Sequence, residues 1–169
     1  MTPGPGTVPS ASRDNLMAFI ERFASVQVEA GMPRMPARVF AALLAADSAR
    51  LTATELADLL KASPAAISGG VRYLIGVGMV RRGGEPGSRR HYYQVPENVW
   101  DELLRNRNRV LERWTDALRD GVELLGADTP AGMRMADSVD YFQFVNDELP
   151  VVLARWQERK GADGARRSG

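Results

Sequence analysis

The chain has no cysteine and only one histidine, His91. The first absence excludes disulfides, thiolate zinc sites and thiol redox sensing. The second excludes any site built from several histidines, so no metal and no cofactor is expected. No run of about 18 apolar residues is present, so no transmembrane helix is expected and no membrane partner. The opening stretch, MTPGPGTVPSAS, has neither the basic nor the apolar region of a secretory signal, which makes the cytoplasm the expected compartment. The chain lacks GxSxG, a phosphate loop and HExxH. Its carboxylate neighbours, Asp137 with Asp140 and Asp147 with Glu148, read as solvated helix faces. No catalytic constellation is found, and the chain is not expected to be an enzyme.

What remains is a soluble-type composition, 44% hydrophobic and 25% charged, over 169 residues. Net charge is only +1, but it is unevenly spread. From Arg34 to His91 there are nine Lys and Arg against four Asp and Glu; from Tyr92 to Lys160 there are nine against 13. A basic middle followed by an acidic end suits a chain whose middle meets a polyanion.

Punctuation and periodicity divide the chain. Residues 1–11 and 161–169 read as disordered tails. Residues 12–32 and 97–160 read as a helical dimerisation region around a winged helix-turn-helix at 33–96. The first helix runs from Ser12 to Ala30, with Leu16, Phe19, Ile20, Phe23 and Val26 on one apolar face. The second runs from Pro36 to Ala46, and Leu51 forms a very short strand. A long helix spans Asn98–Leu125. The last spans Met133–Lys160, with apolar residues close to every 3.5 positions and a kink expected at Pro150.

The middle carries the clearest signal, TATELADLLKASPAAISGGVRYLIGVGMVRRGGEPGSRRHYYQ from Thr52 to Gln94. Thr52 and Glu55 form a capping box that opens a helix to Lys61, burying Leu56, Leu59 and Leu60. Ser63 caps the next helix and Pro64 takes its first position. That helix runs to Ile75 and buries Ile67, Val71, Leu74 and Ile75. Strands at Met79–Arg82 and Arg89–Val95 flank a Gly/Pro turn. Helix, turn, helix and basic hairpin on one side of a small domain is a shape that docks on DNA. The expected fold class is mainly α with a small β wing.

On this reading Ser63, Ala65, Ala66, Ser68, Gly69 and Arg72 line the outward face of the recognition helix. Arg72 is its one long donor, suited to a guanine edge or a phosphate. Arg81, Arg82, Arg89, Arg90 and His91 make a basic wing suited to the minor groove. Arg34 and Arg38 are further phosphate-contact candidates. The pair Gly69 and Gly70 weakens the helix by roughly 1 kcal/mol each against alanine, a cost that a close approach to DNA or to a neighbouring helix explains.

The order of elements over residues 13–160, with TATELADLLKASPAAISGGVRYLIGVGMVRR and RRHYYQV, resembles the MarR family of bacterial transcription regulators, its GbsR-like branch most of all. The resemblance implies a homodimer built from the first and last two helices. It also implies recognition by Ser63, Ser68 and Arg72, and wing contact by the arginines around Gly87. The small residues Ala65, Ala66, Gly69 and Gly70 depart from the more polar recognition helices of many members and favour shape readout.

Dimerisation is also expected from the residues, because Trp100, Trp114, Phe142 and Trp156 offer more apolar surface than a small winged helix buries alone. The expected interface comprises Leu16, Ile20, Trp100, Leu104, Leu111, Leu118, Val145, Leu149, Val152 and Trp156. Family members are often switched by small ligands, and Phe19, Phe23, Met32, Met35, Trp114 and Phe142 are the candidate lining for an apolar one. The expected function is a homodimeric, sequence-specific DNA-binding regulator, a repressor modulated by such a ligand. Its rival is a winged helix that binds protein instead of DNA.

Overall fold

The computed structural model describes residues 13–84 and 91–167. The chain divides between Leu103 and Leu104 into two compact units. The first holds α1 (Arg13–Glu29), α2 (Arg34–Ala45), β1 (Arg50–Thr52), α3 (Ala53–Leu60), α4 (Pro64–Gly76), β2 (Arg81–Gly84), β3 (His91–Gln94) and the first turn of α5 (Val99–Leu125). The second holds the rest of α5 and α6 (Pro130–Arg167).

Local chemistry sets the helix starts. Thr52 Oγ1 accepts from the Glu55 amide at 3.2 Å while the Thr52 amide donates to Glu55 Oε2 at 2.7 Å, completing the expected capping box of α3. Ser63 Oγ accepts from the Ala66 amide at 3.2 Å, and Pro64 opens α4. α2 begins at Arg34, two residues before the expected Pro36. Pro36 sits within its first turn, where the missing N–H has no intrahelical partner to lose. α4 runs to Gly76, and Gly78 at φ 77 turns the chain so that the Met79 amide reaches the Leu74 carbonyl at 2.9 Å.

The core of the first unit forms around α2, whose Val39, Phe40, Ala41, Ala42 and Leu43 are all buried. α1 covers it with Leu16, Ile20 and Ala24, a one-sided i, i+4 stripe. Leu16 and Ile20, expected at a dimer interface, are therefore core residues, because α1 turns that stripe onto α2. Phe19 and Val26, expected on the buried face, are exposed. α3 and α4 bury Leu56, Leu59, Leu60, Ile67, Val71 and Leu74 as expected. Ile75 does not join them: it is 42% exposed, one position past Leu74 and so rotated off the buried face.

Gly70 explains part of the glycine pair. A Cβ there would stand 3.3 Å from both Met35 Cγ and Val39 Cγ2, so α4 crosses α2 at close range. A Cβ on Gly69 would meet nothing within 4 Å.

The sheet has the order β1-β3-β2, antiparallel throughout. Met79 and Val80, expected in the outgoing strand, are buried core residues just before it, and pairing starts at Arg81. The returning strand is described over His91–Gln94 and ends one residue before the expected Val95.

In the second unit Trp114 meets Phe142 at 6.2 Å between ring centroids, and Gly121 lies against Met135. The first members of these pairs ascend while the second descend, so the two helices run antiparallel. Gly126 at φ 86 ends α5, and Thr129 Oγ1 caps α6 by accepting from the Gly132 amide at 3.0 Å. Pro130 takes the first helical position, which starts α6 three residues before the expected Met133. α6 passes through Pro150 and continues to Arg167, so the expected tail at 161–169 is helical over its first seven residues. Ala162, Ala165, Arg166 and Arg167 are good helix formers that extend it. The expected tail at 1–11 and the Ser12 cap lie outside the described residues.

The two glycines of α4 predict opposite responses. Gly69→Ala is expected to raise stability in urea unfolding by about 0.5–1 kcal/mol through helix propensity. Gly70→Leu is expected to lower it by about 1–3 kcal/mol through overpacking against α2.

Candidate nucleic-acid interface

The outward face of α4 is assembled by the burial of its other side. With Ile67, Gly70, Val71 and Leu74 fixed inward, Ala65, Ser68, Gly69 and Arg72 are exposed at intervals of three and four, and Ala66 is half-buried beside them. Ser63 stands exposed at the helix start, its hydroxyl engaged by the Ala66 amide. Tyr73 and Ile75 add exposed apolar surface toward the other end. The face is small and shallow, with one guanidinium and a helix N-terminus, an arrangement that lets a polyanion approach the helix backbone.

The wing presents a second charged surface. β3 pairs Gln94 with both Arg50 and Arg81, so these three share one sheet face with Tyr92. The Arg50 guanidinium lies 5.0 Å above the Tyr92 ring, and that ring packs closely over Gly83. Arg81 makes an ion pair with Glu102 from the first turn of α5, while Arg82 and His91 are exposed. Arg89 and Arg90 lie outside the described residues.

Two cationic residues escaped the sequence reading. Arg50 faces outward on the sheet; its signal was its place one residue before buried Leu51, where a strand alternates sides. Lys61 sits exposed in the helix-turn-helix turn, in the left-handed region at φ 49. Its signal was its place between the last buried residue of α3 and the cap of α4.

The two arginines of α2 are placed differently. Arg34 is exposed, with Glu21 Oε2 3.7 Å away. Arg38 has a side chain only 17% exposed and donates to Glu21 Oε1 at 2.7 Å and to the Leu60 carbonyl at 3.2 Å. Arg38 is thus engaged inside the fold, where a surface phosphate contact was expected.

The candidate ligand lining falls in two parts. In the first unit Phe19 and Phe23 stack at 5.7 Å, Phe23 adjoins Phe40 at 6.5 Å, and Met32 and Met35 lie half-buried against the core. In the second, Trp114 and Phe142 pack together. A surface depression beside the α3–α4 turn is lined by Ala53, Thr54, Ala57, Asp58, Lys61, Ala62 and Pro64, none of them in that set.

Of the expected interface residues, Trp100, Leu104, Val152 and Trp156 are about half exposed. Trp100 also meets Phe40 edge-on at 5.9 Å. Leu111, Leu118, Val145 and Leu149 are half-buried. Among the described residues no helix is long and apolar enough to cross a membrane, and no group of three or more His, Asp or Glu could hold a metal ion.

A capped helix-turn-helix, a three-stranded wing and long flanking helices define a winged-helix protein, and comparison with known proteins places it further. A model of the MarR family matches residues 30–91, and a model of MmpR5-like MarR family transcriptional regulators matches 98–159. The HTH-type transcriptional regulator MmpR5 of Mycobacterium tuberculosis is 27% identical over 164 residues, spanning 96% of this chain and 99% of that protein. The crystal structure of a transcriptional regulator, also 27% identical, superposes with a TM-score of 0.75 over 85% of this chain and 99% of its own. The chain belongs to the MarR family of winged-helix, DNA-binding transcriptional regulators, a family of regulators and not of enzymes. The C-terminal match is described as MmpR5-like, where a GbsR-like branch was expected.

Lys61 gives this surface a test that separates folding from binding. Lys61→Gly relieves a left-handed side-chain conformation and is expected to raise stability by about 1 kcal/mol in urea unfolding. If the turn meets a phosphate, the same variant lowers DNA affinity and reduces the slope of log affinity against log salt by about 1.

Proposed function

We propose that this chain is a homodimeric, sequence-specific DNA-binding repressor of the cytoplasm, whose affinity for DNA falls when a small apolar ligand binds. The observation that carries the reading is the outward face of α4. From Ser63 to Arg72 its exposed residues are small or polar, its one guanidinium is Arg72, and its opposite side is locked into the core. On this reading Ser63, Ala65, Ala66, Ser68, Gly69 and Arg72 meet the major groove. Arg81, Arg82, Arg89, Arg90 and His91 follow the adjoining phosphates and minor groove. Arg34, Arg50 and Lys61 add phosphate contacts.

Dimerisation is supported by the apolar surface left outside. In the second unit Trp114, Tyr141, Phe144, Val152 and Trp156 are all about half exposed or more. Monomeric proteins rarely leave so many large apolar side chains of one small unit in water. A two-fold partner would cover it and would hold two copies of α4 roughly 34 to 36 Å apart, one DNA turn. The ligand reading rests on two separate clusters of aromatic and Met side chains, Phe19, Phe23, Met32 and Met35 in the first unit and Trp114 with Phe142 in the second, whose shapes adapt to apolar guests.

Fluorescence anisotropy on the DNA upstream of the protein's own gene, against shuffled DNA over a salt series, tests the reading. The expected preference is about a thousandfold or more at physiological salt. Arg72→Ala is expected to cost about 1–3 kcal/mol of binding and relax sequence preference, whereas Arg82→Ala weakens both duplexes alike and lowers the salt slope by about 1. No binding to either duplex at low salt would refute the regulator and favour a winged helix that binds protein. Sedimentation tests the dimer independently: the wild type is expected at twice the chain mass, and Trp114→Asp with Trp156→Asp at the single mass while still folded.

A further inference from the structure

We infer that Arg38 is a positioning residue that fixes the turn between α3 and α4, held for that task by Glu21 of α1. The inference rests on the DNA-reading role of α4 just proposed and names what sets that helix in place.

α3 ends at Leu60, and like those of any α-helix its last carbonyls lack intrahelical donors. The turn that follows satisfies one of them twice: the Lys61 and Ala62 amides both reach the Ala57 carbonyl. No basic side chain stands in the last turn of α3 itself. The Leu60 carbonyl, the final one of the helix, receives Arg38 Nη2 at 3.2 Å. A guanidinium at a helix C-terminus satisfies both the hydrogen-bonding and the dipole requirement.

The same guanidinium is anchored through a second nitrogen, where Nε donates to Glu21 Oε1 at 2.7 Å. One planar group therefore joins α1, α2 and the end of α3, three residues before Ser63 caps α4. Its side chain is mostly out of water, where such bonds are less screened than at the surface. α1 touches the same helix end a second time, through Arg13 Nη2 and the Asp58 carbonyl at 3.4 Å. Lysine keeps the charge but has a single donor nitrogen and no rigid fork, and cannot hold the two acceptors from two nitrogens fixed in one plane. Arg34, one turn earlier and 80% exposed, is the comparator: it lies beside Glu21 but reaches no part of the turn.

Amide hydrogen exchange on full-length Arg38→Lys and Arg34→Ala decides the matter without DNA. In Arg38→Lys the amides of Ala62 and Ala66 are expected to exchange about tenfold faster, as for loss of one charge-assisted hydrogen bond, while amides within α1 and α2 keep their wild-type rates. In Arg34→Ala the turn is expected to exchange as in the wild type. Wild-type exchange of the turn in Arg38→Lys would overturn the inference. So would an equal acceleration throughout the first unit, which marks a merely structural residue.

Anisotropy adds the functional readout. Arg38→Lys is expected to lose about tenfold in affinity for the preferred duplex with unchanged affinity for shuffled DNA and an unchanged salt slope. Equal loss on both duplexes with a shallower slope would assign Arg38 to a phosphate and overturn the inference. A wild type without preference for any duplex would refute the DNA-reading function, and the exchange experiment would still decide the role of Arg38 in the turn.

Discussion

Everything in the first unit is arranged around α2, a helix apolar on nearly every side. Pro36, Ala37, Val39, Phe40, Ala41, Ala42 and Leu43 are buried, which is what a central helix requires. α1 packs along one side of it and α4 along another. The approach of α4 is close because Gly70 offers no Cβ where Met35 and Val39 stand. That contact, more than the exposed residues, decides which way Arg72 points. The outward face of α4 is what is left when its opposite face has been locked against α2. A mid-helix glycine costs helix propensity, and here the cost is offset by packing that orients the outward face of α4.

The features that could be read from sequence are those fixed by near neighbours along the chain. Thr52 with Glu55, and Ser63 with Pro64, specify helix starts through bonds spanning three residues, and both sites formed as expected. The buried positions of α3 were equally legible, because a short amphipathic helix has one apolar side. α1 was not. Leu16, Phe19, Ile20, Phe23 and Val26 fit one broad face, but a neighbouring helix covers only part of it, and periodicity does not say which part. Packing chose Leu16, Ile20 and Ala24, leaving Phe19 and Val26 outside. Ile75 failed for the same reason at the margin of α4. The helical continuation past Lys160 was missed because residues 161–169 read as a disordered tail, whereas the cost of the glycines at 161 and 164 was insufficient to stop a long established helix.

Charged residues were the least legible part of the site. Arg34 and Arg38 are four apart on one helix and look equivalent in the sequence. Only the position of Glu21, thirteen residues before Arg34, and the open carbonyl end of α3 tell them apart. Long-range partners of this kind have no sequence period. The wing behaves likewise. Arg81 is drawn to Glu102 and Arg50 to the ring of Tyr92, so the side of the sheet that carries them is ordered by contacts within the protein before any nucleic acid is present.

A recognition surface of this composition has a consequence for how sequence is read. Direct readout draws on long hydrogen-bonding side chains, each worth about 1–3 kcal/mol of discrimination, and the described outward face of α4 carries one such residue, Arg72. Ala65, Ala66 and Gly69 instead remove bulk, which brings the helix backbone and its N-terminal amides nearer to whatever lies against them. On the proposed reading of α4 as the recognition helix, so few base-reading groups leave discrimination largely to how readily a duplex adopts the shape that the α4 face and the wing jointly accept. Such a mechanism is sensitive to the angle at which α4 is held, because a displaced rigid face changes the fit at every base step at once. If α4 reads DNA as proposed, the contacts fixing that angle, Gly70 against α2 and the guanidinium of Arg38 at the end of α3, bear on sequence preference as directly as the residues facing the groove.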